Sequence, residues 1–113
     1  MADPEQRAKF TDQIEEQVEA LRRKFQEMEL SQMRKGELEA RALLADAKKA
    51  VSRQRTEAAR RVASARKASA AGWNDVKEGL QTALDDLSEA VERAHRRFEG
   101  IEEDEESEET AGV

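Results

Sequence analysis

ARKASAAGWNDVKEGLQTALDDLSEAV, residues 65–91, decides how this chain folds. It holds the only tryptophan, Trp73, and two of the five glycines, Gly72 and Gly79. Its apolar residues Trp73, Val76, Leu80, Leu84, Leu87 and Val91 recur at steps of three and four. That spacing puts all six on one face of a helix. No other stretch of the chain is as hydrophobic. A long charged pattern precedes it and an acidic stretch follows it.

Towards the N-terminus the apolar positions are Phe10, Ile14, Val18, Leu21 and Phe25, again at steps of four, four, three and four. Asp3-Pro4-Glu5-Gln6 reads as the helix start: Asp3 caps, Pro4 suits the first helical position, and Gln6 completes a capping box. Extended as a repeating 4-4-3 pattern, the register passes through Leu43, Val51 and Val62, rejoins the stripe at Trp73, and ends at Phe98. An 11-residue repeat has about 3.67 residues per turn, so the stripe runs nearly straight with slight right-handed drift. Met28, Leu30, Met33, Leu38 and Leu44 fall off this register, which loosens between Met28 and Glu39.

Three glycines interrupt the pattern. Gly36 lies in the loosened zone and costs about 1 kcal/mol relative to alanine inside a helix. Gly72 sits in Ser69-Ala-Ala-Gly-Trp-Asn-Asp75, where Ser69, Asn74 and Asp75 can cap a new helix. Gly79 is a weaker interruption. The expected fold is all-α, with long amphipathic helices forming a coiled-coil hairpin or rod and a disordered acidic C-terminal tail. Residues 1–70 form the first helix, with a kink near 36. A turn near 70–74 leads to a second helix over 71–99, ending at Gly100 as a C′ residue. The rod alternative, about 95 residues at 1.5 Å each, is roughly 140 Å long.

Composition agrees. The chain is 113 residues long, 41% charged and 4% aromatic, with one proline and no tyrosine. So polar a chain buries a narrow stripe rather than a wide core. With no cysteine, disulfides and zinc–thiolate sites are excluded. No apolar run approaches the roughly 20 residues that cross a bilayer, and the N-terminus lacks an apolar signal core. The expected location is the cytoplasm.

The net charge of −6 is unevenly spread. Residues 34–67 carry 11 Lys and Arg against 4 Asp and Glu, while residues 68–113 carry 4 against 14. The basic stretch 48–67 offers Lys48, Lys49, Arg53, Arg55, Arg60, Arg61, Arg66 and Lys67 as candidate contacts for a polyanion or an acidic partner. Lys49, Arg53, Arg60 and Lys67 flank one shoulder of the seam, and Arg55 and Arg66 the other. No aromatic is interleaved, so base stacking is unsupported. Pairing with acidic helices is the plainer reading.

Trp73 on an apolar stripe reads as core at a helix junction. His95 is the only histidine, and a metal site needs more convergent ligands. Asp85-Asp86 and the acids of 101–113 lack the spacing of a calcium loop. There is no nucleophile constellation and no glycine-rich phosphate loop. The expectation is a non-enzyme with no cofactor and no metal.

The Trp73 stretch resembles a family of small bacterial coiled-coil stress-response proteins. The resemblance rests on Trp73, Asp75, Val76, Lys77 and Gly79, then on Ala83-Leu84, Asp86-Leu87 and Ala90. It covers about a quarter of the chain specifically. Gly72 stands where that family usually has another residue, and Leu84 where it often has a second tryptophan. The resemblance implies a self-associating helical hairpin in stress response, with no reaction and no ligand site.

The resulting expectation is a homo-oligomer. Its self-association seam is Phe10, Ile14, Val18, Leu21, Phe25, Leu43, Val51, Val62, Trp73, Val76, Leu80, Leu84, Leu87, Val91 and Phe98. A short second helix covers only part of a long first one, so another subunit covers the rest. The alternative is an amphipathic 11-residue-repeat helix that protects or binds membranes or client proteins. A third reading is nucleic-acid binding through 48–67.

Overall fold

The computed structural model describes residues 3–35 and 38–111, with side-chain surroundings for 3–34, 38 and 41–99. Three α-helices make up the fold: α1 (Pro4–Lys35), α2 (Leu38–Lys67) and α3 (Trp73–Ala111). A three-residue 3-10 turn, Ala70–Gly72, leads into α3. Among the described residues there is no strand. Gly100 lies within the bounds of α3. The acidic tail expected over 100–113 concerns side chains outside the described residues.

The start of α1 forms as its sequence dictates. The Gln6 backbone N–H donates to Asp3 Oδ1 at 2.8 Å, and the Asp3 N–H donates to Gln6 Oε1 at 3.4 Å. This reciprocal pair satisfies two orphan donors of the first turn.

The single long helix expected over 1–70 is corrected: the chain reverses between Lys35 and Leu38. Arg66 of α2 reaches Asp12 and Glu15 of α1, and Lys48 reaches Glu29, so α1 and α2 run antiparallel. At the other junction α3 folds back along α2, placing Gly79 under Arg61. The product is an up-down-up bundle of 65 × 20 × 16 Å, and the 140 Å rod does not form. The physical reason lies in the stripe. Reversal between α1 and α2 lets α1 bury its apolar face against α2 and α3 of the same chain, which a rod cannot do.

The core has two connected halves. Near the second turn, Ile14, Val62, Ala65, Trp73, Leu80 and Leu84 pack together, flanked by Phe10 and Val76. Towards the α1–α2 turn, Phe25, Ala47, Val51, Leu87, Val91, Ala94 and Phe98 pack, with Leu43, Leu44 and Met28 against them. Val18 and Leu21 touch both halves. Every residue of the expected seam therefore lies in or against this intramolecular core. Leu80, Leu87 and Val91 are wholly buried, which makes the middle of α3 the spine of the bundle.

The second turn does not depend on glycine. Ser69 takes an extended backbone (φ −81°, ψ 165°) and breaks the helix without a side-chain capping bond. A Cβ on Gly72 would meet nothing within 4 Å, so the turn has room for a side chain there. Trp73 fills the junction beneath it, its ring edge-on to Phe10 at 5.8 Å and 89°. The Arg7 side chain of α1 donates to the Ala68 carbonyl at 3.3 Å, tying the same turn to the start of the chain.

Three outcomes follow from this core. Leu87→Ala loses about 2–5 kcal/mol of unfolding free energy in urea titrations, as expected for a wholly buried leucine. Leu38→Ala, on a side chain that is 82% exposed, changes little. Gly72→Ala gains about 0.4–1 kcal/mol by restricting the unfolded chain; a loss would mean that the turn needs glycine after all.

Candidate functional site

The described surface offers three places where chemistry or binding can be sought: the basic face of α2, the hollows between helices, and the end of the bundle at the α1–α2 turn.

The basic stretch 48–67 is largely answered within the chain. Arg66 pairs with Asp12 at 3.1 Å and Glu15 at 2.6 Å, and both acids lie on α1. These neighbours raise the Arg66 pKa, the Asp12 hydrogen bond contributing most. Lys48 pairs with Glu29 of α1 at 3.6 Å. Arg60 and Arg61 share Glu57 on their own helix, and the Arg60 hydrogen bond chiefly holds the Glu57 carboxyl below its ordinary range. Lys49, Arg53, Arg55 and Lys67 have no ion-pair partner among the described residues. The eight candidate contacts thus include four that already hold acidic partners.

The partner helix differs from the one the charges suggest. A hairpin would set acidic α3 against basic α2, yet no described ion pair joins them; α2 finds its interhelical partners on α1. Small residues explain this. Ala47, Ala58 and Ala65 of α2 and Ala83 and Ala94 of α3 are all buried, and these two helices pack most extensively. Close approach over alanine leaves the long side chains splayed outwards. Gly79 shows the limit: a Cβ there would come within 3.3 Å of Arg61 Nη1. Arg53 lies on the α3 side of α2 and Arg55 on the α1 side, as the shoulder assignment expects.

A hollow of about 430 Å³ runs along the outside of the α2–α3 seam. Its floor is Ala47, Ala50, Ala90 and Ala94, and its rim mixes Arg53, Arg93 and Arg97 with Asp46, Asp86 and Glu89. Arg93 is held by Glu89 at 2.6 Å. This is an open trough of balanced charge with no nucleophile aimed into it. His95 is half-buried and contacts Glu99 at 2.9 Å. Among the described residues no group of three His, Cys, Asp or Glu side chains is placed to hold a metal ion. No described helix is long and apolar enough to cross a membrane.

The end of the bundle is different. Leu30, Met33 and Leu38 are exposed at 50%, 58% and 82%, and they are the large hydrophobic side chains that the described surface leaves open. Leu30 and Met33 share a face of α1, three residues apart, and Leu38 opens α2 just across the reversal. The sequence carried the signal for this patch. All three fall off the apolar register, whereas Gln32, on it, is buried at 6%. Off-register position was legible as loosened packing; that it meant exposure required knowing where the chain turns. Met28 and Leu44, also off the register, pack against the core.

The fold is therefore an all-α three-helix bundle whose unsatisfied apolar surface sits at one end. Compared with family models, curated proteins and solved structures, the chain finds no match.

With half its basic contacts already paired, the 48–67 stretch should bind duplex DNA weakly. Gel-shift titrations at physiological salt are expected to show no tight complex; tight binding that collapses steeply with salt would favour the nucleic-acid reading.

Proposed function

We propose that this chain is a non-enzymatic binding protein whose working surface is the apolar end formed by Leu30, Met33 and Leu38, and that it contacts client proteins there. The observation carrying this is the division of its apolar residues. The stripe is consumed within one chain, while three large apolar side chains stay in water beside a turn. Exposed apolar side chains gathered in one place mark interaction surfaces. The trough is charge-balanced, and half of the basic candidates on α2 are already paired.

The motive for a homo-oligomer was an apolar face that one chain leaves uncovered. The seam from Phe10 to Phe98 has its cover inside the bundle, so self-association passes to the same exposed end as a second reading. A role in stress response rests on the resemblance at 73–79 and agrees with client binding, since unfolding proteins expose the apolar segments such an end would meet.

The test is aggregation of reduced insulin, followed by light scattering with and without the protein. The wild-type chain is expected to delay aggregation, and the Met33→Ser/Leu38→Ser double variant to lose most of the effect while keeping its helical circular dichroism. Equal protection by both would remove the apolar end as the working surface. A melting midpoint that stays fixed over a wide range of protein concentration is expected in parallel; a midpoint that rises with concentration would favour self-association instead.

A further inference from the structure

The hollow between α1 and α2, about 200 Å³, joins exposed apolar surface to a surplus of positive charge. Phe25 and Val51, both buried, form its floor, and Leu30, half exposed, stands at its rim. Arg22, Lys48 and Arg55 face it against the single carboxylate of Glu29. Because α1 and α2 run antiparallel, Leu30 and Lys48 mark the end towards the α1–α2 turn, and Arg22 and Arg55 mark the other. From Leu30 to Arg22 is roughly 12 Å along α1 at 1.5 Å per residue.

Two of the three cations already have partners. Arg22 donates through Nε to Glu19 at 2.8 Å and through Nη1 to Gln26 at 3.2 Å. Lys48 Nζ lies 3.6 Å from Glu29. Arg55 is exposed and makes no hydrogen bond or ion pair among the described residues. The Glu19 carboxyl is held below its ordinary range chiefly by the Arg22 hydrogen bond, and the charges of Arg23 and Arg55 act on it as well. One carboxylate thus answers to three guanidiniums, and the Arg55 donors stay open to water. An open guanidinium beside an apolar floor is a fork for an incoming carboxylate.

From this juxtaposition we propose that the α1–α2 hollow docks an acidic amphipathic helical segment of a client protein. An apolar side chain of the segment rests on Leu30, and a carboxylate about two turns further along reaches Arg55. The proposal rests on the client-binding reading above and names the class of client. Other occupants fit worse. A second copy in a two-fold contact would set this basic hollow against itself, like charge on like. A flat anionic bilayer cannot enter a groove between two helices, and it would meet Glu19 and Glu29 along with the cations.

The experiment is fluorescence anisotropy with the full chain and a labelled 18-residue helical peptide, capped at both ends, with leucine on one face and glutamate on the other. A peptide with lysine in place of glutamate, and a scrambled Leu/Glu peptide without an apolar face, serve as controls. The expected result is saturable binding of the amphipathic Leu/Glu peptide that weakens as salt is raised, with little binding of either control. Arg55→Glu should weaken it at least about tenfold, and Leu30→Ser at least about fivefold. Arg53→Glu makes the same change in net charge on the α3 side of α2 and should leave the affinity within about twofold. All three variants should keep their helical circular dichroism, since they alter exposed side chains.

Equal weakening by Arg53→Glu and Arg55→Glu, or equal binding of the scrambled peptide, would reduce the contact to bulk charge and overturn the docking site. An unchanged affinity in Leu30→Ser would remove the apolar footing and overturn it too. Equal binding of the Leu/Lys peptide, with insulin still protected, would overturn the acidic class and leave client binding standing. Loss of insulin protection with Arg55-dependent binding of the Leu/Glu peptide intact would do the reverse. A doubling of mass by sedimentation that Arg55→Glu abolishes would make a second copy the occupant. Binding to phosphatidylglycerol vesicles that Arg55→Glu abolishes, without binding of the peptide, would make a lipid surface the occupant.

Discussion

The bundle depends on burial of one face of α3 against two antiparallel neighbours. Leu80, Leu87 and Val91 lose all contact with water, and each such side chain contributes roughly 1.5–3 kcal/mol relative to exposure. Leu80 belongs to one half of the core and Leu87 and Val91 to the other, so α3 anchors both halves. With few aromatics and 41% charged residues, the chain has no second core to fall back on. That constraint also explains the economy elsewhere: α2 contributes mainly alanine and valine to the centre, and Trp73 with Phe10 closes the end where the helices turn.

Charge plays a subordinate part. The interhelical pairs, Arg66 with Asp12 and Glu15, Lys48 with Glu29, and Lys24 with Glu92, are all substantially exposed. Exposed pairs contribute little net stability, but they favour one alignment of α1 on its neighbours over a slipped one. Part of the basic surplus of α2 is thereby put to use inside the chain. The large apolar side chains that the described residues leave exposed, Leu30, Met33 and Leu38, lie on either side of the α1–α2 turn.

Part of the exposed apolar surface was present in the one-dimensional pattern. Leu30, Met33 and Leu38 break a register that otherwise holds from Phe10 to Phe98, and each is exposed. Yet Met28 and Leu44 break it too and are packed against Phe25, Val51 and Phe98. Register alone cannot separate these two groups. Near a chain reversal, the side of a helix that faces the core is set by the path of the next helix rather than by the helix's own period.

The sequence by itself determined that the chain is helical, which face of each helix is apolar, how α1 is capped at Asp3 and Gln6, and that the stretch just before Trp73 is suited to a turn. These are local properties: a 3.6-residue period, a capping box and a run of helix-competing residues act over a few turns. The tertiary structure alone decided that the long charged segment folds into two helices, that the stripe closes within one chain, and that α2 takes its ionic partners from α1 rather than α3. A single glycine in a loosened register gives the same local signal in a continuous helix as in a chain that folds back. The choice is made by the apolar surface that reversal removes from water, a sum over residues far apart in the chain.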